Sequence, residues 1–270
     1  MVDGNGPVRR RRAIAAALLL PFLAAEPRAS LDEKTGPVAV RFPEGSLHGF
    51  LTLRAPGGEP LADGDLLQVA NARGIESRMV FHFRDSSYFD ERVTFSQKGV
   101  FRMEHYELVQ RGRAFEQDLE VTLSATGVYS VTATSRSDGE VKHWKGTLDL
   151  PADVYNGMVI TIAKNLARGD SQTVHIVAFT PGPRLIGLEI APAGTRRVWN
   201  GRHGVATTHF KLKPKLGVIL GFFARLLGRA PPDSDAWIVT DGVPGFVRFD
   251  GPLYTGPPWR LELAAPAFGR

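Results

Sequence analysis

The stretch DLPADVYNGMVITIAKNLAR, residues 149–168, is the one convincing helical pattern between two long arrays of strand-like segments. Pro151 suits a first-turn position, and Gly169 can supply a left-handed stop. Apolar side chains recur at helical spacing and would form one stripe, at Val154, Met158, Val159, Ile162, Ala163 and Leu166. The pattern therefore predicts one long helix with an apolar face to bury.

The pair Asn156-Gly157 interrupts this pattern, because a glycine within a helix costs about 1 kcal/mol relative to alanine. Either the helix begins after the pair, or the backbone approaches a neighbour closely there. Close packing is the preferred explanation, with an asparagine side chain directed into a concave face as the alternative.

The segments on either side of the helix alternate polar and apolar residues, with turn signals about every 8–12 residues. One predicted hairpin turns at Lys98-Gly99, and Phe101, Met103 and His105 on its second strand are expected to share a side. About a dozen strands linked by short turns favour antiparallel pairing. A sheet that long closes or curls. We therefore predict a mainly β fold, a single curved antiparallel sheet or half-barrel wrapped on the helix.

The N-terminal residues have the layout of a secretory signal peptide. Four arginines, Arg9 to Arg12, precede an apolar run from Ala13 to Ala25, and small residues suited to cleavage stand around Ala25 or Ala29. The run is shorter than the roughly 20 residues that a membrane span needs. We predict a signal peptide over residues 1–29, a single domain over residues 30–270, and an exported protein in the periplasm or outside the cell.

The charge and the composition exclude several classes of function. The whole chain carries a formal net charge of +5, but five arginines and two acids lie within residues 1–29, so the remainder carries +2. This weak charge argues against a nucleic-acid partner. The chain has no cysteine, which excludes disulfides, thiol catalysis and thiolate metal sites.

The segment LGVILGFFARLL, residues 216–227, is apolar at nearly every position. Being apolar all round favours burial as a short core helix or a strand pair. Two alternatives stay open: a lid over an apolar cavity, and a peripheral membrane contact made by Phe222, Phe223 and Leu226 with Arg225 and Arg229 at the lipid head groups.

Several segments resemble a family of uncharacterised exported bacterial proteins, a likeness that covers roughly residues 74–266. The segments are DERVTFSQKGVFR (90–102), LPADVYNGMVITIAKN (150–165), TPGPRL (180–185), RLLGRAPPDSDAWIV (225–239) and FDGPLYTGPPWRLELAAP (249–266). The layout of strands, helix and strands is also similar to the periplasmic half-barrel lipoprotein carriers of the Lol system. Neither resemblance carries an activity or a functional residue to this chain.

No constellation in the sequence predicts catalysis. The acids and hydroxyls of Asp85 to Glu91 lack the spacing of a calcium loop, so a polar hairpin is the better interpretation. The seven histidines are scattered without zinc-site spacing, and no serine lies in a G-x-S-x-G elbow. We therefore predict no catalytic residue, no cofactor and no metal.

The leading hypothesis is an exported protein that binds a lipid, an acyl chain or another apolar ligand on the concave face of the sheet. Met158, Ile162 and Leu166 would line the cavity, and Phe222, Phe223 and Leu226 would close it. Two other classes stay open. One is a cell-envelope hydrolase of unrecognised type whose acids and histidines meet only in space; the other is an envelope assembly component that acts through a surface.

Overall fold

The computed structural model describes residues 1, 34–166, 169–200, 203–215, 233–239, 242–254 and 256–264. All of the elements below lie within the unit Leu31–Arg270. Apart from Met1, the predicted signal peptide lies outside the described residues, and so does the whole segment 216–227 with Phe222, Phe223 and Leu226. No helix among the described residues has the length and apolar character needed to cross a membrane.

The described residues form fifteen strands and one helix, in an order that places the helix between nine strands and six more. The elements are β1 (Lys34–Thr35), β2 (Leu47–Arg54), β3 (Pro60–Ala70), β4 (Ile75–Phe83), β5 (Tyr88–Lys98), β6 (Val100–Arg111), β7 (Gln117–Ser124), β8 (Val128–Ser135), β9 (Val141–Thr147), α1 (Val159–Asn165), β10 (Gln172–Ala178), β11 (Arg184–Asn200), β12 (His203–Lys215), β13 (Ser234–Val239), β14 (Gly245–Gly251) and β15 (Trp259–Leu263).

All fifteen strands belong to one sheet, in the order β1-β10-β11-β12-β13-β14-β15-β2-β3-β4-β5-β6-β7-β8-β9. Every neighbouring pair is antiparallel except β1 and β10, which run parallel. The predicted mainly β fold with a single antiparallel sheet is therefore confirmed. The order also shows that β15 joins β2, so the strands before and after the helix form one continuous surface.

One face of the sheet, here called the inner face, carries the core. Alternation along each strand places residues such as Phe81, Phe89 and Leu119 on this side, where each is at most 1% exposed. The ring of Tyr106 on β6 stacks 6.3 Å from that of Phe179, which follows β10, although nine strands separate β6 from β10 in the sheet. The sheet therefore bends until distant strands meet across its inner face.

The predicted long helix over residues 149–168 is wrong, because α1 spans only Val159–Asn165. Gly157 takes a φ of +70°, which a right-handed helix cannot contain. Upstream of it the chain is extended, and Val154 forms a parallel β-bridge with His175 of β10. Tertiary pairing with a strand edge has therefore overridden the helical spacing in the first half of the stretch.

Gly157 also packs directly on the inner face. A β-carbon at this position would lie 3.2 Å from Cβ of Val93 and 3.3 Å from the ring of Tyr106. The stretch therefore does pack on the inner face, as the sequence predicts, but as turns around one β-bridge residue followed by two turns of helix.

The outer edge of β10 is closed along its length by the segments that cross it. β1 pairs with Gln172 and Thr173, and the backbone of Tyr155 donates to the carbonyl of His175 at 2.9 Å. The side chain of Asn156 then substitutes for a backbone partner of Val177: its Nδ2 donates to the Val177 carbonyl at 2.9 Å and its Oδ1 accepts from the Val177 N–H at 2.8 Å. Such closure removes an unpaired edge that could otherwise recruit other strands.

A β-bulge in the β5–β6 hairpin decides which residues of β6 face the core. The register shifts between Thr94 and Phe95, so that β6 carries one additional residue. Phe101 and Met103 point inward as predicted, but His105 does not share their side, because beyond the bulge Tyr106 faces the core and is 1% exposed. The additional residue in β6 therefore brings the hydroxyl of Tyr106 to the inner face.

Candidate functional site

The outer face of the sheet holds a groove of about 590 Å³ where β11 to β15 lie side by side. Aromatic and charged side chains dominate its lining. The groove is lined by Arg196, Arg197, Val198, Trp199, His209, Asp235, Trp237, Arg248, Arg260 and Glu262. This size falls within the range of small-molecule sites.

Cross-strand neighbours build the floor of the groove. His209 of β12 lies opposite Trp237 of β13, which lies opposite Arg248 of β14, and Arg248 lies opposite Glu262 of β15. The imidazole of His209 stacks parallel to the indole of Trp237 with centroids 4.9 Å apart, and the Arg248 guanidinium carbon lies 4.5 Å from the indole centroid. Contacts of this kind between an arginine and an indole are attractive, so the floor is rigid.

Two β-bulges flank this ladder. The register of β11 against β12 shifts between Pro192 and Thr195, opposite His209, and that of β13 against β14 shifts between Trp237 and Ile238. Bulges bend a strand and redirect its side chains, and they are frequent beside functional sites. The bulges therefore account for a concave surface on what would otherwise be a regular outer face.

The carboxylate of Asp250 holds the two arginines of the floor, Arg248 and Arg260, in place. Nε of Arg248 donates to Oδ1 of Asp250 at 2.8 Å, its Nη2 also bonds to that carboxylate, and Nε of Arg260 donates to the same Oδ1 at 3.3 Å. The hydrogen bonds from Arg248 to Asp250 raise the pKa of Arg248 despite its partial burial. The Arg248 guanidinium thus remains charged, and Asp250 holds it in position.

The rim of the groove belongs to the β11–β12 hairpin, which extends past the end of β13. Pairing of β12 with β13 stops at Thr207, whereas pairing of β11 with β12 continues to Asn200. Arg196, Arg197 and Trp199 lie on this two-stranded extension, and Trp199 is 65% exposed. Neither guanidinium has an ion-pair or hydrogen-bond partner among the described residues.

The groove offers binding groups but no free acid–base group in its histidine. Nε2 of His209 lies 2.6 Å from Oδ1 of Asp235, and Nδ1 of His209 is buried without a hydrogen-bond partner. One ring nitrogen is therefore committed to a carboxylate, and the other faces away from solvent. General acid–base catalysis needs a nitrogen within reach of substrate, which this geometry does not supply.

The inner face carries a second polar feature at Glu91 of β5. Oε1 of Glu91 accepts a hydrogen bond from the Tyr106 hydroxyl at 2.9 Å, and its cross-strand neighbours are Met79 and Leu108. Burial among apolar groups raises the pKa of Glu91 to about 7, and the Tyr106 hydrogen bond only partly opposes this. Burial also raises the pKa of Tyr106 and of nearby Tyr254, so both hydroxyls stay protonated.

The structure separates the acids that the sequence clusters between Asp85 and Glu91. Asp90 points to the outer face, where Arg78 donates two hydrogen bonds to it, at 3.0 and 2.7 Å. Burial alone would raise the pKa of Asp90, but hydrogen bonds from Arg78 and Arg92 lower it to about 2. Glu91 is the next residue and points to the inner face, because successive side chains of a strand alternate.

Three residues predicted to line an apolar cavity lie at the inner face. Met158 and Ile162 are buried within the core, and Leu166 is partly buried against it. Their part in ligand binding stays a prediction. Phe222, Phe223 and Leu226, predicted to close the cavity, lie outside the described residues.

Sequence reasoning did not identify the groove. Trp237 and Trp199 drew attention only as core or rim aromatics, and the arginines carried no motif. The usable signal was the pair Arg196-Arg197 two residues before Trp199 at the end of a long strand. Sequence spacing could not have revealed that Arg248 and Trp237 meet, because that contact depends on the bulged register of β13 and β14.

No group of three or more histidines, acids or cysteines within the described ranges could hold a metal ion. No family model, no curated protein and no solved structure matches the chain. The site must therefore be understood from its own geometry.

Proposed function

We propose that the protein is a ligand-binding protein whose outer groove binds a small anionic ligand that contains a ring, such as an acidic sugar. The observation that carries this proposal is the rim of the groove, where exposed Trp199 lies close to Arg196 and Arg197, whose guanidiniums have no partner among the described residues. An indole offers a flat apolar surface for a ring, and arginine is suited to carboxylate or phosphate through paired N–H donors.

The charge balance of the groove favours an anion. Four arginines line it against two carboxylates, and one of these, Asp235, is already engaged by His209. Asp250, two residues from Arg248 on β14, neutralises part of the charge of Arg248 and Arg260. The uncompensated positive charge therefore lies at the rim, with Arg196 and Arg197.

The same surface disfavours a long polyanion such as a nucleic acid. Single-stranded nucleic acids bind along continuous basic tracks with several stacking platforms. Here the basic rim is short, and the groove itself is lined by the carboxylates of Asp235 and Glu262. A long polyanion would be repelled by these acids, whereas a ligand of one or two rings can place its anionic group at the basic rim.

Isothermal titration calorimetry with glucuronate, glucose and acetate tests this proposal. We expect glucuronate to bind at least tenfold more tightly than either of the others, because only it offers both a ring and a carboxylate. The double substitution Arg196→Ala/Arg197→Ala should weaken glucuronate binding by about tenfold or more, which corresponds to the loss of one charge-assisted hydrogen bond of about 1.5–3 kcal/mol.

Arg73→Ala is the matched control, since Arg73 is an exposed arginine in the β3–β4 turn, away from the groove. Trp199→Ala should weaken binding of glucuronate without changing the melting temperature, because the side chain is largely exposed. Equal affinity for glucuronate and glucose, or unchanged affinity in the double arginine variant, would contradict the proposal.

A second candidate function is the binding of an apolar ligand on the inner face, within a half-barrel. Partly buried Leu66, Met79 and Leu263 favour it, because they keep some solvent access on a face that is otherwise closely packed. These three residues, called here the apolar track, follow one another across β15, β2, β3 and β4: Leu66 lies opposite Gly49 and Met79, and a β-carbon at Gly49 would lie 3.4 Å from Leu263.

We further propose that the protein acts outside the cytoplasm. The support is the order of Arg9 to Arg12, an apolar run and small residues, together with a chain that contains no cysteine. N-terminal sequencing of the protein from the periplasmic and culture fractions should give a first residue near Ser30. Recovery of the uncleaved chain in the cytoplasm alone would contradict export.

A further inference from the structure

Glu91 differs from the other enclosed carboxylates of the protein. Glu44 pairs with Lys164 at 2.5 Å, Asp90 with Arg78 at 2.7 Å and Asp153 with His175 at 2.9 Å. Within the part of the chain that the structure describes, Glu91 has no cationic partner, and the Tyr106 hydroxyl is its one hydrogen-bond donor. A carboxylate withdrawn from water normally requires a positive charge beside it.

The second oxygen of this carboxylate is available. Glu91 is partly exposed, and its Oε2 has no hydrogen-bond partner among the described residues. Met79 lies directly opposite on β4, and Leu66 lies beyond it on β3. An accessible carboxylate oxygen therefore stands at one end of the apolar track.

We propose that the inner face binds an amphipathic ligand with a cationic head, an alkylammonium in its simplest form, whose ammonium group pairs with Glu91 while its chain lies along Leu66, Met79 and Leu263. This inference rests on the second candidate function, the apolar site, and names the class of ligand that the site selects. The ligand supplies the positive charge that no described residue places beside Glu91.

An ammonium is favoured over other head groups by the chemistry around the carboxylate. Among the described residues, the titratable groups that face Glu91 are the hydroxyls of Tyr106 on β6 and Tyr254 in the β14–β15 loop, and both remain neutral. The nearby cation is Arg184, which interacts with Tyr254 and donates to the carbonyl of Thr180 rather than to Glu91. The two hydroxyls can accept or donate hydrogen bonds but cannot balance the charge of Glu91. A carboxylate head would meet electrostatic repulsion, and an alcohol would gain only a neutral hydrogen bond.

Three probes with the same chain separate these possibilities: dodecylammonium, dodecanol and dodecanoate, titrated below their aggregation concentrations into the full protein at pH 8. We expect dodecylammonium to bind at least tenfold more tightly than dodecanol, and dodecanoate to bind most weakly. Glu91→Gln should abolish the preference for the ammonium while leaving dodecanol affinity within about twofold, because glutamine keeps the hydrogen bond from Tyr106.

Glu76→Gln is the matched control, since Glu76 is an exposed carboxylate on neighbouring β4. It should leave all three affinities unchanged. If Glu91→Gln folds poorly, the wild-type protein provides a second measurement: affinity for dodecylammonium should fall as the pH decreases from 8 to 6, and affinity for dodecanol should not.

The outcomes distinguish the role of Glu91 from the existence of the apolar site on the inner face. Equal binding of ammonium and alcohol, or an ammonium preference that survives in Glu91→Gln, overturns the role of Glu91 but retains the apolar site. Failure of all three probes to bind overturns both. Loss of dodecylammonium binding in Trp199→Ala would place the ligand in the outer groove and overturn the inference as well.

Discussion

Replacing Glu91 by glutamine should stabilise the protein at alkaline pH and leave it unchanged in acid. Burial raises the pKa of Glu91 from 4.5 to about 7. Below pH 4.5 the carboxyl is protonated in both the folded and the unfolded chain. As the pH rises through 7 the folded state must either keep a proton that the unfolded chain has released or bury a charge, so stability is lost over that interval.

The size of the effect follows from this interval. A pKa shift of one unit corresponds to about 1.4 kcal/mol. The shift of the Glu91 pKa from 4.5 to about 7 therefore lowers the free energy of unfolding by at most about 3 kcal/mol. Partial access of water to Oε2 reduces the cost to about 2 kcal/mol. Glu91→Gln should therefore raise the free energy of unfolding by about 2 kcal/mol at pH 8 and by nothing measurable at pH 4.

Urea unfolding followed by far-ultraviolet circular dichroism at pH 4, 5, 6, 7 and 8 measures this difference. Glu76→Gln should show no such dependence, because that carboxylate is exposed. The reasoning would be refuted by a Glu91→Gln effect that stays constant across the five pH values, or by a variant less stable than the wild type at pH 8.

Two further predictions concern the stretch that crosses the inner face. Asn156→Ala should lower the free energy of unfolding by about 2–3 kcal/mol in urea, because both polar groups of Val177 lose their buried partner; a change below 0.5 kcal/mol would show that β10 does not need this closure. Gly157→Ala should lower the free energy of unfolding by about 1–3 kcal/mol, because of the φ of +70° and the contact with Val93. The effect should exceed that of Gly99→Ala, because Gly99 shares the positive φ but a β-carbon there would have no neighbour within 4 Å. Equal melting-temperature shifts for the two glycine variants would argue against close packing at Gly157.

Turn residues and alternation made much of the sheet predictable. The turn at Lys98-Gly99 lies where the sequence places it, with Lys98 paired to Val100 and Gly99 at a φ of +76°. Phe81 and Phe83 of β4 face the core as their spacing predicts. These features depend on neighbouring residues in the chain, so a local pattern is enough to reveal them.

The β-bulges could not be predicted from the sequence, because each depends on pairing with a partner strand. The bulge of β5–β6 reverses the expected orientation of His105 and brings Tyr106 to Glu91, and the bulge of β13–β14 sets the position of Trp237 against Arg248. One additional residue inverts the alternation downstream of it. Both candidate sites consequently depend on a strand register that the periodicity of the sequence does not predict.

The helix shows the same limit. Its apolar spacing is real, and Met158, Ile162 and Ala163 are all buried. The first half of the stretch nevertheless pairs with β10, because an open strand edge offers backbone hydrogen bonds that a helix beginning at Pro151 would forgo.

The sequence by itself determined that this chain builds a large antiparallel sheet, where most of its turns fall, and that the stretch with the helical pattern packs on its inner face up to Leu166. Those features follow from local alternation, glycine and proline chemistry, and the need to bury apolar side chains. Only the tertiary structure decided that the helix begins as late as Val159, that Asp90 pairs with two arginines while its neighbour Glu91 has no cationic partner among the described residues, and that a tryptophan and arginines from separate strands form a groove. The physical reason is that charge pairing, strand edges and register are set between segments distant in the chain.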